Sequence, residues 1–154
     1  MSTDEVVNAN SAYGVLQVAK DMLARGDMPE ACSTYHEAIM LLQDWLFALL
    51  SSDDAERERA MQRTVPTGID PVYLATEPWM GLFRASRSLL DLPTAHQAGE
   101  VAVTLFIEIG ADSQRASDGI GEIGAFMVEQ DDPEAREYGL QCLEAADQLR
   151  ALQP

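Results

Sequence analysis

The residues in this chain of 154 that could carry chemistry are few, and their spacing limits what they can do. Cys32 and His36 are four apart, which on a helix turns both toward one face and would let them share a metal ion. Two ligands do not make a centre, and there is no second pair to complete one. The expected arrangement is a buried thiol beside a boundary histidine. His96 and Glu100 have the same spacing and are expected to be a solvated pair. Asp118, Glu122 and Glu129 supply helical carboxylates, but a four-helix di-iron site needs Glu-x-x-His motifs and neither histidine provides one. Gly119-Ile120-Gly121-Glu122-Ile123-Gly124 has the glycines of a dinucleotide loop without the preceding strand, and no phosphate-loop Lys follows. Its glycines are expected to permit close helix packing, at a cost of about 1 kcal/mol each relative to Ala. Ser113 and Ser117 lie in no nucleophile-elbow motif. No catalytic set, metal set or cofactor motif is expected, and the chain does not read as an enzyme.

The elements that would hold these residues are helical nearly throughout. Ser2-x-x-Glu5 has the form of a capping box and starts a helix to about Arg25, with Val15, Val18, Ala19 and Met22 on one stripe. Gly26 ends it. Asp27-Met28-Pro29-Glu30 opens a second helix reaching Leu50, with Asp27 expected to cap it. Residues 55–62 form a short charged helix, and 64–71 form a loop containing Pro66, Gly68 and Pro71. Residues 72–90 are helical with a start or kink at Pro78. Further helices run from a Thr94-x-x-Gln97 cap to Ile109, from Asp112 to about Glu129, and from Asp131 to about Ala151. No stretch alternates with period two. The expected fold class is all-α, in a single domain over 1–154. Trp45, Phe47, Trp79 and Phe83 stand in apolar contexts and are expected in the core.

Composition excludes several function classes. The chain is 47% hydrophobic and 23% charged, too apolar for a disordered segment. Twenty-six acidic residues against ten basic ones give a formal net charge of −16, which disfavours nucleic acid and anionic membrane surfaces. Cys32 and Cys142 form no CxxC or finger spacing and are expected to be reduced, buried thiols. The opening residues are acidic where a secretory leader would be basic, and the apolar stretch from Ala38 to Leu50 is broken by Gln43 and Asp44. The expectation is a cytoplasmic protein.

A five-residue phrase occurs three times: Asp27-Met28-Pro29-Glu30-Ala31, Asp91-Leu92-Pro93-Thr94-Ala95 and Asp131-Asp132-Pro133-Glu134-Ala135. Each places a polar cap, a first-turn Pro and a small Ala between two apolar helices. Seven residues after each Ala comes Ala38, Ala102 or Cys142, and four after it Tyr35, Gly99 or Gly139.

The phrase from Gly26 through Ala31 to Tyr35 and Ala38 resembles the second half of a tetratricopeptide repeat. A second unit matches from Trp79 through Leu82, Ser86, Ala95, Gly99 and Ala102, with Phe83 where the family has Gly after Leu and Leu90 where it has the turn Gly. A third keeps Phe126, Ala135, Gly139 and Cys142. The alanines are 64 and 40 residues apart instead of 34, so an insertion over 51–72 separates the first two units. The resemblance implies hairpins over about 13–46, 77–109 and 112–151, stacked as a right-handed superhelix, with an irregular bundle of 6–7 helices as the rival arrangement.

The resemblance also implies a groove lined by the first helix of each hairpin: Tyr13, Leu16, Lys20 and Leu23, then Met80, Arg84 and Arg87, then Ile120 and Met127. Such a groove would take a peptide or partner segment, with Arg84 and Arg87 facing acidic flanks. The family's carboxylate-clamp version is not expected, since Asn8 and Asn10 are the only Asn. Small size, acidity and three imperfect repeats also resemble the translocator-class chaperones of bacterial type III secretion. The expected function is a non-enzymatic adaptor or small chaperone. The alternative is an assembly subunit that homodimerises through the apolar helix over 31–50. A helical metal protein, or an acidic decoy mimicking nucleic acid, ranks behind both.

Overall fold

A computed structural model describes residues 3–153, with side chains described from Asn8 onward. The elements are α1 (Thr3–Arg25), α2 (Met28–Leu41), α3 (Gln43–Leu49), α4 (Asp54–Gln62), a 3-10 turn at Val65–Thr67, α5 (Pro71–Ser88), α6 (Leu92–Ile109), α7 (Gln114–Met127) and α8 (Pro133–Ala151). Among the described residues there is no strand, so the all-α expectation holds. The chain gathers into two compact units, residues 1–98 and 99–154, and the boundary falls inside α6.

In the first unit α1 and α2 form a hairpin, α2 packs on α5, and α5 also lies against α1. The buried stripe of α1 is Ala9, Ala12, Leu16 and Ala19, at spacings of three and four. Small residues here let α2 approach closely, and α2 answers with Ala31, Tyr35 and Ala38, all fully buried. The Ser2–Glu5 capping box lies outside the described residues.

The turn between α1 and α2 and the turn between α5 and α6 are built alike. The Gly26 N–H donates to the Leu23 carbonyl and the Asp27 N–H to the Met22 carbonyl, at 3.1 and 2.9 Å. Leu90 and Asp91 repeat the pattern onto Arg87 and Ser86, at 3.0 and 2.9 Å. Both turns are Schellman-type stops that need a left-handed residue. Gly26 supplies it at φ +83°, and Leu90 is held there at φ +60°. The turn glycine missing from the second unit of the sequence is therefore missing only as a residue type. The third turn differs: α8 begins one residue later in the phrase, with Asp132 accepting from the Glu134 N–H at 3.1 Å.

Several expected boundaries shift. The helix expected from Asp27 to Leu50 is two helices, broken at the buried Leu42 (φ −103°, ψ 5°). Asp27 occupies the cap position of α2 without a capping hydrogen bond, and its carboxylate instead meets Arg25 at 3.5 Å. Asp91, not Thr94, does the capping at α6, receiving the Thr94 N–H at 3.4 Å and its hydroxyl at 2.7 Å. Ser113 caps α7. Pro78 neither starts nor ends a helix; it is buried inside α5, and having no N–H it leaves the helical bond to the Leu74 carbonyl unmade. The insertion is tied back to α3: the Trp45 indole N–H donates to the Ala60 carbonyl at 2.8 Å, and Arg57 Nε to the Leu49 carbonyl at 3.2 Å.

In the second unit α7 and α8 pack so closely that glycine is required at the crossing. A Cβ on Gly124 would meet the Gly139 carbonyl oxygen and Cys142 Cβ at 3.0 Å, and one on Gly139 would meet the Val128 nitrogen at 2.7 Å. Gly119 gives similar room to the Phe106 ring, 2.5 Å from where its Cβ would be. Close packing is what the sequence assigns to the Gly119–Gly124 run. Gly121 alone is loosely covered, with nothing nearer than 3.7 Å.

Candidate partner-binding face

The chemically richest surface of the first unit lies where α1 meets α5. On α1 the side chains of Tyr13, Gln17 and Lys20 follow one another at spacings of four and three, and on α5 Tyr73, Glu77, Arg84 and Arg87 share a stripe. Tyr73 joins the two. Its hydroxyl accepts from Lys20 Nζ at 2.8 Å and from Gln17 Nε2 at 3.3 Å, and its ring lies 5.1 Å below the same ammonium. Tyr13 packs against it with ring centroids 6.4 Å apart. Further along α5, Arg84 pairs with Glu77 at 3.6 Å, and the Arg87 guanidinium lies 4.9 Å from the Phe83 ring centroid.

Beneath this face is Tyr35 of α2. Its ring rests on Gly81 of α5, where any Cβ would fall among the ring atoms. The side chain is fully buried, and among the described residues its hydroxyl has no hydrogen-bond partner. Burial first, and then the negative charge of Glu77, push this phenol up to about 12, with Arg84 acting in the opposite direction. Tyr35 is therefore a neutral donor at ordinary pH and cannot serve as a base there. A buried hydroxyl left unpaired costs about 1–3 kcal/mol. The sequence marks Tyr35 only as a repeat position and gives no sign of this.

The nine residues named from the tetratricopeptide resemblance are divided between core and surface. Tyr13 is exposed; Lys20, Leu23, Arg84 and Arg87 are half-buried. Leu16 and Met80 are core residues of the first unit, and Ile120 and Met127 are core residues of the second, all but closed to solvent. These four cannot line an open groove: Leu16 falls on the stripe that α1 turns inward, Met80 lies between Glu77 and Arg84 on the inner side of α5, and Ile120 and Met127 belong to the packed face of α7. Gln17, Tyr73 and Glu77 take part in the surface, and the sequence reading missed them. Tyr73 sits one turn into α5 where the sequence shows only a Pro-Val-Tyr start, and Gln17 is adjacent to the residue chosen instead.

Cys32 is half-buried and His36 exposed; Cys142 is buried, and both cysteines are free thiols. Burial raises both thiols, reinforced by Asp91 at Cys32 and by Glu100 at Cys142. A hydrogen bond from the Tyr138 hydroxyl to Cys142 acts the other way on that thiol. Among the described residues no three His, Cys, Asp or Glu side chains converge as a metal site would require, and no helix is long and apolar enough to cross a membrane. Phe83 is core as expected, Trp45 and Trp79 are half-buried, and Phe47 is 81% exposed, against expectation. Phe47 lies on the outer side of α3, whose inner side is filled by Leu46 and Leu49.

Comparison of the chain with family models, with curated sequences and with solved structures finds no match.

Proposed function

We propose that this protein is a non-enzymatic interaction module, a tetratricopeptide-like adaptor or small chaperone, that holds a segment of a partner protein against the α1–α5 face of its first unit. The observation that carries the reading is the Tyr73 cluster on that face: its hydroxyl accepts from Lys20 and Gln17, and Tyr13 packs against its ring. Together Tyr13, Tyr73 and Lys20 combine aromatic surface with positive charge in a chain of net charge −16. Such a mixture suits an extended segment whose carbonyls accept hydrogen bonds and whose flanks are acidic. The equivalent turns at Gly26 and Leu90 support the repeat reading of α1–α2 and α5–α6. No nucleic acid, membrane or cofactor enters this proposal.

The test is capture of partners from lysate by wild type and by the Lys20→Glu, Arg87→Glu variant, identified by mass spectrometry. Arg84 is left intact because its loss would strand Glu77. A protein retained by wild type and lost by the variant, with unchanged circular dichroism, is the expected result. Equal capture by both would overturn the reading.

A further inference from the structure

A second surface of the first unit has no part in that face. At the break between α2 and α3 there is a cavity of about 270 Å³, lined by apolar Ala9, Met40, Leu41, Leu42 and Trp45 and by polar Asn8, Gln43, Asp44, Arg63 and Thr64. Met40 at its edge is 63% exposed. The apolar surface continues outward: Phe47 stands one turn beyond Asp44 on α3, and Leu50 one turn beyond Phe47. Two large apolar side chains this open, next to a cavity, exceed the scattered exposure ordinary for a soluble protein.

The charge along α2 and α3 has one sign. Between Arg25 and Arg57 there are seven carboxylates and neither Lys nor Arg. Glu37 and Asp44 share the outer side with Met40 and Phe47, and all four are exposed. Among the described residues Arg63 is the one cation in the cavity wall, and Arg57 of α4 reaches the Leu49 carbonyl nearby. A second copy of the chain would bring the same acids against themselves, so like charge opposes self-pairing here. A cationic segment with an apolar side complements both features.

We propose that the cavity and the Met40–Phe47–Leu50 surface form a docking site for a basic amphipathic helix of a partner protein. One apolar anchor enters the cavity beside Trp45, a second covers Phe47, and Lys or Arg side chains lie over Glu37 and Asp44.

The test uses calorimetric titration of the whole protein with three synthetic peptides of about 18 residues: an amphipathic Leu/Lys helix, a Ser/Lys peptide of equal charge, and a Leu/Glu helix. Saturable binding of the Leu/Lys peptide is expected, with affinity at least about tenfold above that of the other two. The Met40→Ser, Phe47→Ser variant alters two exposed side chains and should lose about tenfold for that peptide. Leu152→Ser, equally exposed at the end of the second unit, should lose nothing. Equal binding of the Ser/Lys peptide, or an undiminished affinity in the double variant, would overturn the proposal. So would a wild-type dimer in sedimentation that the double variant converts to monomer, because the surface would then be covered by a second copy.

Discussion

Substitution of Gly81 by Ala tests the contact on which the α1–α5 face is built. The new Cβ would be placed among the ring atoms of Tyr35, a fully buried side chain with no flexible end to swing aside. Overpacking of this kind costs about 1–3 kcal/mol, and a ring driven from its site also loses part of its burial. A loss of about 3 kcal/mol follows. For a urea dependence of about 2 kcal/mol per molar, the midpoint falls by about 1.5 M. Trp45 and Trp79 both lie in the first unit, so their fluorescence reports it directly. Gly14 in α1 is the internal control: nothing lies within 4 Å of its Cβ position, and Gly14→Ala should gain about 1 kcal/mol from helix propensity. In the Gly81→Ala, Tyr35→Leu double variant the second substitution should cost much less than it does alone, since the ring is already displaced. A Gly81→Ala protein as stable as wild type would refute the packing argument.

Three further outcomes follow from the same contacts. Leu90→Gly should raise stability by about 1 kcal/mol, or a few degrees in Tm, because Leu90 is held at φ +60° while 79% exposed and loses little burial on replacement; an unchanged Tm would contradict the left-handed turn. The Tyr35 phenol is raised when folded, so its contribution to stability is complete below pH 10 and is lost as pH rises toward about 12; alkaline unfolding monitored by circular dichroism should be shallower over that window in Tyr35→Phe, and an identical profile would count against it. Gly139→Ala should destabilise the second unit by about 2–3 kcal/mol, since its Cβ meets backbone atoms that cannot yield; a variant that melts like wild type would show that α7 and α8 are not so closely packed.

The all-helical fold was legible because the breaks between helices carry strong local signals: Gly26 after α1, Pro71 and Asp70 before α5, and Pro133 with Asp132 before α8. The break at Leu42 has no such signal. Leu42 and its neighbours favour helix, and the chain divides there where Leu42 is buried and Trp45 is tied to the Ala60 carbonyl. Pro78 does not start a helix, because burial within α5 outweighs the one hydrogen bond it forfeits. The surface was only half legible. Residue types such as Tyr13, Lys20 and Arg84 are visible in the sequence, but the rotation of each helix is not. A rotation of one residue, about 100°, separates the buried Leu16 from Gln17, which reaches Tyr73. The exposure of Phe47 was hidden for the same reason, since α3 is apolar on both its sides and only the packing decides which side is covered.

The most direct test of the partner-binding reading is amide hydrogen exchange of the wild-type protein alone and with the partner that it captures. New protection is expected in residues 13–24 of α1 and 73–87 of α5, reduced in the Lys20→Glu, Arg87→Glu variant under conditions where both proteins are fully folded. Protection confined to the second unit, or absent from α1 and α5, would contradict it.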